Sequence, residues 1–281
     1  MTLNHWVISF LMFIAWNATS QIRHYGIQKS NTEGFLMSPS SMVWVRDSIH
    51  HPVSLKLTFI IAQAEISNSR LSLQVESLNQ DFSRQTFDKS TYKNSIYGSL
   101  AADTEIRFCE NFQRINLPKL QKLDSTIQVP QILASIPIEQ GSIPIFIGDL
   151  NGFAGSGYFS QDFLAEDAIF LDSHFLAGSD EPGFSLGKTL THLMGRYFGL
   201  APLWDCLDDD IADTPLMSAQ HFEQTEGWSS CYSHVVYTMP QNFMYNTQDQ
   251  FLNMFTKGQK DRMWEILQTK RRYLLNRSSC Q

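Results

Sequence analysis

The chain has 281 residues, with 21 Lys and Arg against 28 Asp and Glu, for a net charge of -7. That acidic balance argues against nucleic acid or an anionic membrane surface as a partner, and more simply supports solubility. Four cysteines without a single CxxC pair argue against a thioredoxin-like redox site and against a Cys-rich zinc knuckle.

Met1 to Ser20 contains no Asp, Glu, Lys or Arg, and Trp6 to Ala15 is almost continuously apolar. Ala18 and Ser20 supply the small residues three and one before a cleavage that leaves Gln21 first. A signal peptide over 1–20 is therefore expected, with His5 as the only basic side chain of its n-region. No later apolar run is long enough for a bilayer, so no membrane span is expected in the mature chain. Its expected location is secreted or periplasmic. Cys109, Cys206, Cys231 and Cys280 then meet an oxidising compartment that permits disulfides; the residues alone leave the pairing of Cys109 and Cys280 open.

Residues 21–51 have mixed charge with Gly26, Gly34 and Pro39, and read as an irregular lead-in or short pro-like segment. His24, His50 and His51 read as surface or turn histidines before metal ligands. After Pro52, Val53 to Ile61 alternates and then becomes apolar, which predicts a strand. Ile66, Leu71, Val75 and Leu78 mark one buried face of a helix ending near 79–84. Ser142 to Leu150 predicts another strand. NGFAGSGYF at 151–159 offers tight turns or close backbone approach, and it lacks the Lys of a P-loop, which argues against nucleotide binding. Asp167 to Asp172 predicts a short strand.

A helix over Leu190 to Leu200 would place His192 and Arg196 one turn apart on one face, with Leu193 beside them. Asn253 to Leu267 predicts a turn into a C-terminal helix, with Thr256 as its cap. Lys270, Arg271, Arg272 and Arg277 make 270–281 a basic tail, expected to be solvated.

Four stretches carry a resemblance: GKTLTHLMGRYFGLAPLWDC at 187–206, DDDIADTP at 208–215, NFMYN at 242–246 and MFTKGQKDRM at 254–263. They resemble the pappalysin-like (cytophagalysin) metzincins, whose site region runs GxTxTHExGHxxGLxHxWGD, then an Asp-rich DTP segment, NYMDY and MFTxGQxxRM. LNQDF at 78–82 and AADTEIRFC at 101–109 resemble that family's LNEDF helix end and ADTxIxFC strand; their acids read as caps or solvated edge residues. The resemblance implies an α/β (α+β) metzincin-like domain over 52–269. It would have a twisted mixed sheet and an active-site-type helix in an upper lobe to about 199, then an irregular lower lobe from about 200. It further implies a disulfide between Cys206 and Cys231, and an edge strand after the Gly-rich turn that holds an extended peptide. The family's other common cysteine, just before MNMFT, is Phe251 here.

The same resemblance implies zinc chemistry that the residues contradict. In the family two histidines one turn apart and a third after a Gly turn hold zinc, and a Glu beside the first activates water. His192 stands at the first ligand position and Gly199 at the turn. The base position is Leu193, the second ligand position Arg196 and the third Pro202, with Trp204 two residues later fixing the register. Leu193 cannot abstract a proton, Arg196 offers only donors, and Pro202 has no side-chain donor atom. Met244 takes the Met-turn position, where it can persist as core filling. Tyr245 and Asn246 replace that motif's Asp and Tyr, and Tyr245, one residue out of register, does not inherit the Tyr role.

Two expectations for Arg196 stay open: a buried pair with Asp205, Asp208, Asp209, Asp210 or Asp213, or an outward guanidinium over an apolar fill. His174, His221 and His234 lack diagnostic ligand spacing, and Asp205 lies three residues past the third ligand position. Zinc is not expected. Calcium at Asp208, Asp209, Asp210 and Asp213 competes with a solvated acidic loop or helix cap. The function expected is an exported, catalytically inactive pseudopeptidase that binds a polypeptide or surface partner. The alternatives are a zinc endopeptidase with displaced ligands and a non-binding structural or decaying relative.

Overall fold

A computed structural model describes residues 25–26, 50–62, 65–87, 96–117, 129–158, 167–218, 228–231, 234–275 and 280. The expected signal peptide, His24, His221 and Arg277 lie outside the described residues. Within the lead-in, Tyr25–Gly26 forms strand β1, where the sequence gives no strand signal. Strand β2, Val53–Ile61, matches the expected run, and helix α1 follows at Asn68–Phe82, capped by Ser67, whose side chain accepts from the Arg70 N–H. The AADTEIRFC stretch breaks into β3, Ala101–Ala102, and β4, Ile106–Phe108. Glu105, at a φ of 60°, lies between them.

Strand β5 is Gln113–Asn116, α2 is Val129–Ser135, β6 is Ser142–Gly148, β7 is Gly155–Tyr158 and β8 is Ala168–Asp172. Helix α3 covers Lys188–Tyr197, so the expected helix starts two residues earlier and stops three sooner. Gly199, at a φ of 84°, turns the chain out of it. Beyond lie β9, Trp228–Cys231, and β10, His234–Tyr237, then β11, Phe255–Thr256, helix α4, Lys257–Thr269, and α5, Arg272–Leu275. Thr256 caps α4 in a reciprocal capping box with Gln259, which satisfies two otherwise orphaned donors.

The principal sheet has the order β1-β7-β8-β6-β2-β4, with β5 pairing the second half of β2. β2, β4, β5, β6 and β8 run parallel, and β7 is antiparallel to β8. The result is the expected mixed sheet. Leu55, Leu57, Phe59 and Ile61 point into the main core with α1 and α3, while Ile60, Phe146 and Phe170 fill a smaller cluster on the other face against Ile132 and Leu133 of α2. Burial on both faces is why these strands read as apolar runs. The described residues between α3 and α4 form loops, short strands and the Met-turn.

The C-terminal segment is docked, which corrects the solvated-tail expectation. Arg271 is fully buried: its Nη2 donates to Asp167 at 2.7 Å, its Nε donates to the Tyr197 carbonyl at 2.8 Å, and it lies 3.5 Å from the centre of the Tyr197 ring. Lys270 and Arg272 remain exposed. Cys280 is bonded to Cys109, and Cys206 to Cys231 as the resemblance implied. Among the described residues, no helix is long and apolar enough to cross a membrane.

Candidate functional site

Helix α3 is buried along nearly all its length, and a charged cluster sets its position. Lys188 Nζ donates to Asp81 Oδ1 at 2.5 Å, and Thr191 Oγ1 donates to Asp81 Oδ2 at 2.6 Å. Asp81 is 1% exposed, so the acid of LNQDF, expected as a cap or edge residue, is instead the buried anchor between α1 and α3. Gln74 adds a bond from its Nε2 to the Gly187 carbonyl at 3.0 Å. Asp249 receives the Leu186 N–H at 2.8 Å, in the wall of a cavity of about 440 Å³ that Glu181, Gly183 and Gln248 also line.

From this frame α3 directs His192, Leu193 and Arg196. His192 is fully buried; its Nδ1 donates to the Phe243 carbonyl at 3.0 Å, and its ring stacks on Trp204 at 5.5 Å. Leu193, also fully buried, lies directly under β7: a Cβ on Gly155 would stand 2.5 Å from Leu193 Cδ1. The place of the family's base is therefore a dry hydrocarbon contact. Arg196 is half-buried and Pro202 buried.

The Met-turn supports the helix from below, since a Cβ on Gly195 would stand 2.6 Å from Met244 Sδ. The Leu203 N–H donates to the Met244 carbonyl at 3.0 Å, which ties the chain next to Pro202 to the same turn. Asn242 and Gln259 exchange side-chain amide bonds at 2.8 and 3.1 Å, fixing that turn to α4. Tyr245 and Asn246 are buried in it.

The acidic loop is structural in its contacts. Asp208 accepts from the Asp210 N–H, Asp209 accepts from Thr214 Oγ1 and the Ile211 N–H, and Asp213 accepts from Thr256 Oγ1 and the Gly258 N–H. Asp213 thus serves the N-terminus of α4, where a carboxylate is favoured by the helix dipole. Asp205 is exposed and Asp210 half-buried. Burial pushes the Asp209 carboxyl up to about 6 against the bonds from Thr214 and Ile211, which favour its ionised form. His174 sits after β8, its Nδ1 2.7 Å from Asp172, and His50 stacks on Trp264. Among the described residues, no group of three or more His, Cys, Asp or Glu could hold a metal ion. The zinc that the metzincin fold implies does not fit Leu193, Arg196 and Pro202, none of which can give a metal ion an electron pair.

The family model for pregnancy-associated plasma protein-A, a peptidase family, matches residues 156–268, a span that holds α3, the Met-turn and α4. Over this span the chain is similar to the pappalysin-like metzincin family. Among its relatives, an extracellular metalloprotease of Arthroderma otae is 31% identical over 134 residues, 44% of this chain and 49% of that protein. Extracellular metalloprotease 1 of Coccidioides posadasii is 33% identical over 129 residues, 42% of this chain and 46% of that protein. The chain thus spans about half the length of the relatives it matches. Mature mirolysin of Tannerella forsythia, solved with a cleaved peptide, has the same fold: TM-score 0.69 at 22% identity, covering 80% of this chain and 96% of mirolysin.

The motifs placed α3, the Met-turn and the first disulfide. They did not reveal the Asp81–Lys188 and Asp167–Arg271 pairs, whose members lie 107 and 104 positions apart.

Proposed function

We propose that this chain is an exported pseudopeptidase, a pappalysin-like domain that binds a polypeptide or surface partner and does not cleave it. The observation that carries this reading is Leu193 packed without solvent against Gly155. A peptide laid along β7 would pass over hydrocarbon where hydrolysis needs a base. Leucine cannot abstract a proton, and neither Arg196 nor Pro202 can donate an electron pair to a cation. The names of the extracellular relatives and the two disulfides support secretion. The cleaved peptide held by mirolysin supports an extended polypeptide as the ligand class.

The deciding measurement is metal stoichiometry on the purified protein after equilibration with zinc and with calcium, with His192→Ala as control. The expected result is near-zero zinc in both. One tightly held zinc, lost in His192→Ala and accompanied by zinc-dependent casein cleavage, would overturn the proposal. That outcome would establish the second reading, an endopeptidase with displaced ligands, which the relatives' names favour. Calcium bound at the acidic loop would be abolished by Asp209→Asn together with Asp213→Asn.

Arg196 is proposed to bring a cation to the former second-ligand position, paired with an acid of the 205–213 loop. Asp205 and Asp210 are its best candidates, because Asp208, Asp209 and Asp213 hold the groups described above. Loss of one member of a buried pair costs roughly 3 to 5 kcal/mol, whereas an exposed pair is worth about 1 kcal/mol or less. Little change in urea stability of Arg196→Ala would sink the buried version.

A further inference from the structure

The cavity of about 440 Å³ beside the N-terminus of α3 is separate from the former zinc site. Glu181, Gly183, Leu186, Gln248 and Asp249 are in its wall, and none of His192, Leu193, Arg196 and Met244 lines it. Its volume is that of a small-ligand site. Two segments distant in sequence form the wall and are bonded to each other: the Asp249 N–H donates to the Gly183 carbonyl at 2.8 Å, and the Asp249 carboxylate accepts from the Leu186 N–H at 2.8 Å. The cavity is therefore shaped before any ligand arrives. Its charge has one sign, with Glu181 and Asp249 in the wall and no Lys, Arg or His among the described residues that line it. The nearest cations are engaged elsewhere, since Lys188 Nζ donates to Asp81 at 2.5 Å and Arg70 donates to the Ala177 and Ser173 carbonyls at 3.4 Å.

An apolar surface adjoins this acidic cavity. Leu186 is 48% exposed and Leu73 of α1 is 44% exposed. Ser77, one turn along α1 from Leu73, donates from Oγ to the Leu186 carbonyl at 2.6 Å. Gly178 donates its N–H to the Ser185 carbonyl, and a Cβ on it would stand 3.0 Å from Leu73 Cδ2. The two leucines thus share one face. A ligand that suits both features is cationic at one end and apolar beside it, because burial of the leucines is favourable and the carboxylates need a positive partner. We propose that the cavity takes a lysine or arginine side chain of a polypeptide partner, with an adjoining apolar residue of that partner laid on Leu73 and Leu186. This rests on the polypeptide-binding reading above and names the partner's chemistry. A basic side chain in a pocket ringed by apolar contacts is a common energetic anchor of protein interfaces.

The test is a titration of the full, isotope-labelled chain, followed by NMR at the amides of Gly183, Leu186 and Gln250. The probes are acetyl-leucyl-arginine amide, its uncharged citrulline counterpart, and benzamidine as a cation without a peptide backbone. The expected result is saturable shifts at these amides with the arginine peptide and with benzamidine. The citrulline peptide, and the arginine peptide on a Glu181→Gln variant, should each bind about tenfold more weakly, as for loss of one charge-assisted hydrogen bond. Leu186→Ser should weaken the arginine peptide and leave benzamidine unchanged. Equal binding of the arginine and citrulline peptides overturns recognition of a cation. Shifts at His192, Leu193 and Arg196 in place of these amides overturn this site and leave the polypeptide-binding reading standing. Shifts with benzamidine but with neither peptide overturn polypeptide docking here and count against that reading as well.

Discussion

The two sides of helix α3 are buried alike but held by opposite kinds of contact. Toward α1, Lys188 and Thr191 grip both oxygens of Asp81 in a charged cluster that Thr86 completes at 2.6 Å. Toward β7 and the Met-turn, Leu193 meets Gly155, and His192 meets Trp204 and the Phe243 carbonyl. A buried charge that loses its partner is stranded at a cost of several kcal/mol, so the first side tolerates little change. On the second, a leucine in place of a buried acid removes a desolvation cost and adds packing. The charged anchor of α3 and the positions matching the family's zinc motif thus rest on different contacts of one helix.

The sharpest way to break that comparison is to strand a charge in the frame. Asp167→Ala leaves Arg271 buried without its carboxylate, and Asp81→Ala does the same to Lys188; each is expected to lower unfolding free energy by roughly 3 to 5 kcal/mol in urea titration. Leu193→Ala removes hydrocarbon from the other side and should cost about 2 to 5 kcal/mol, depending on how far β7 settles into the gap. Leu193→Glu should not create casein cleavage, since it supplies a base without the two missing ligands. Cleavage by that single variant would refute the division between frame and chemistry.

A smaller effect is expected in the acidic loop. Asp209 has a folded-state pKa of about 6 against 3.8 for the ordinary group, so the folded protein holds the proton more tightly than the unfolded chain. Its contribution is fully present below about pH 4 and is lost as pH rises through 6, by up to about 3 kcal/mol. Asp209→Asn should flatten the fall in stability between pH 4 and 7. An unchanged slope would show the group to be better solvated than its burial implies. The smallest effect belongs to the α4 cap: Thr256→Ala removes the acceptor for Gln259 and the donor to Asp213, and should lower stability by about 1 to 2 kcal/mol.

Much of the molecule was legible before any coordinates. The alternating and apolar runs located β2, β6 and β8, and the 3.6-residue spacing of Leu71, Val75 and Leu78 gave the inner face of α1. Those patterns are local, so a short window contains them. The THLMGRYFG register placed His192, Leu193 and Arg196 on one helix, and residue chemistry alone showed that Leu193 and Arg196 offer a zinc ion no electron pair. The C-terminal boundary error at α3 has a local cause too: the αL turn at Gly199 ends the helix before its apolar pattern ends.

What the sequence by itself determined is the set of elements and the chemistry that each side chain can and cannot perform. Only the tertiary structure decided which charges are buried together, that Cys109 reaches Cys280 across 171 positions, that Arg271 lies under Tyr197 rather than in solvent, and that Tyr25 pairs over Gly155. The reason is physical. Helical and strand periodicities are written between neighbours, whereas partners brought together by chain crossing leave no periodic trace. An Asp in an apolar strand end and an Arg in a polar tail look unrelated until the fold removes water from both.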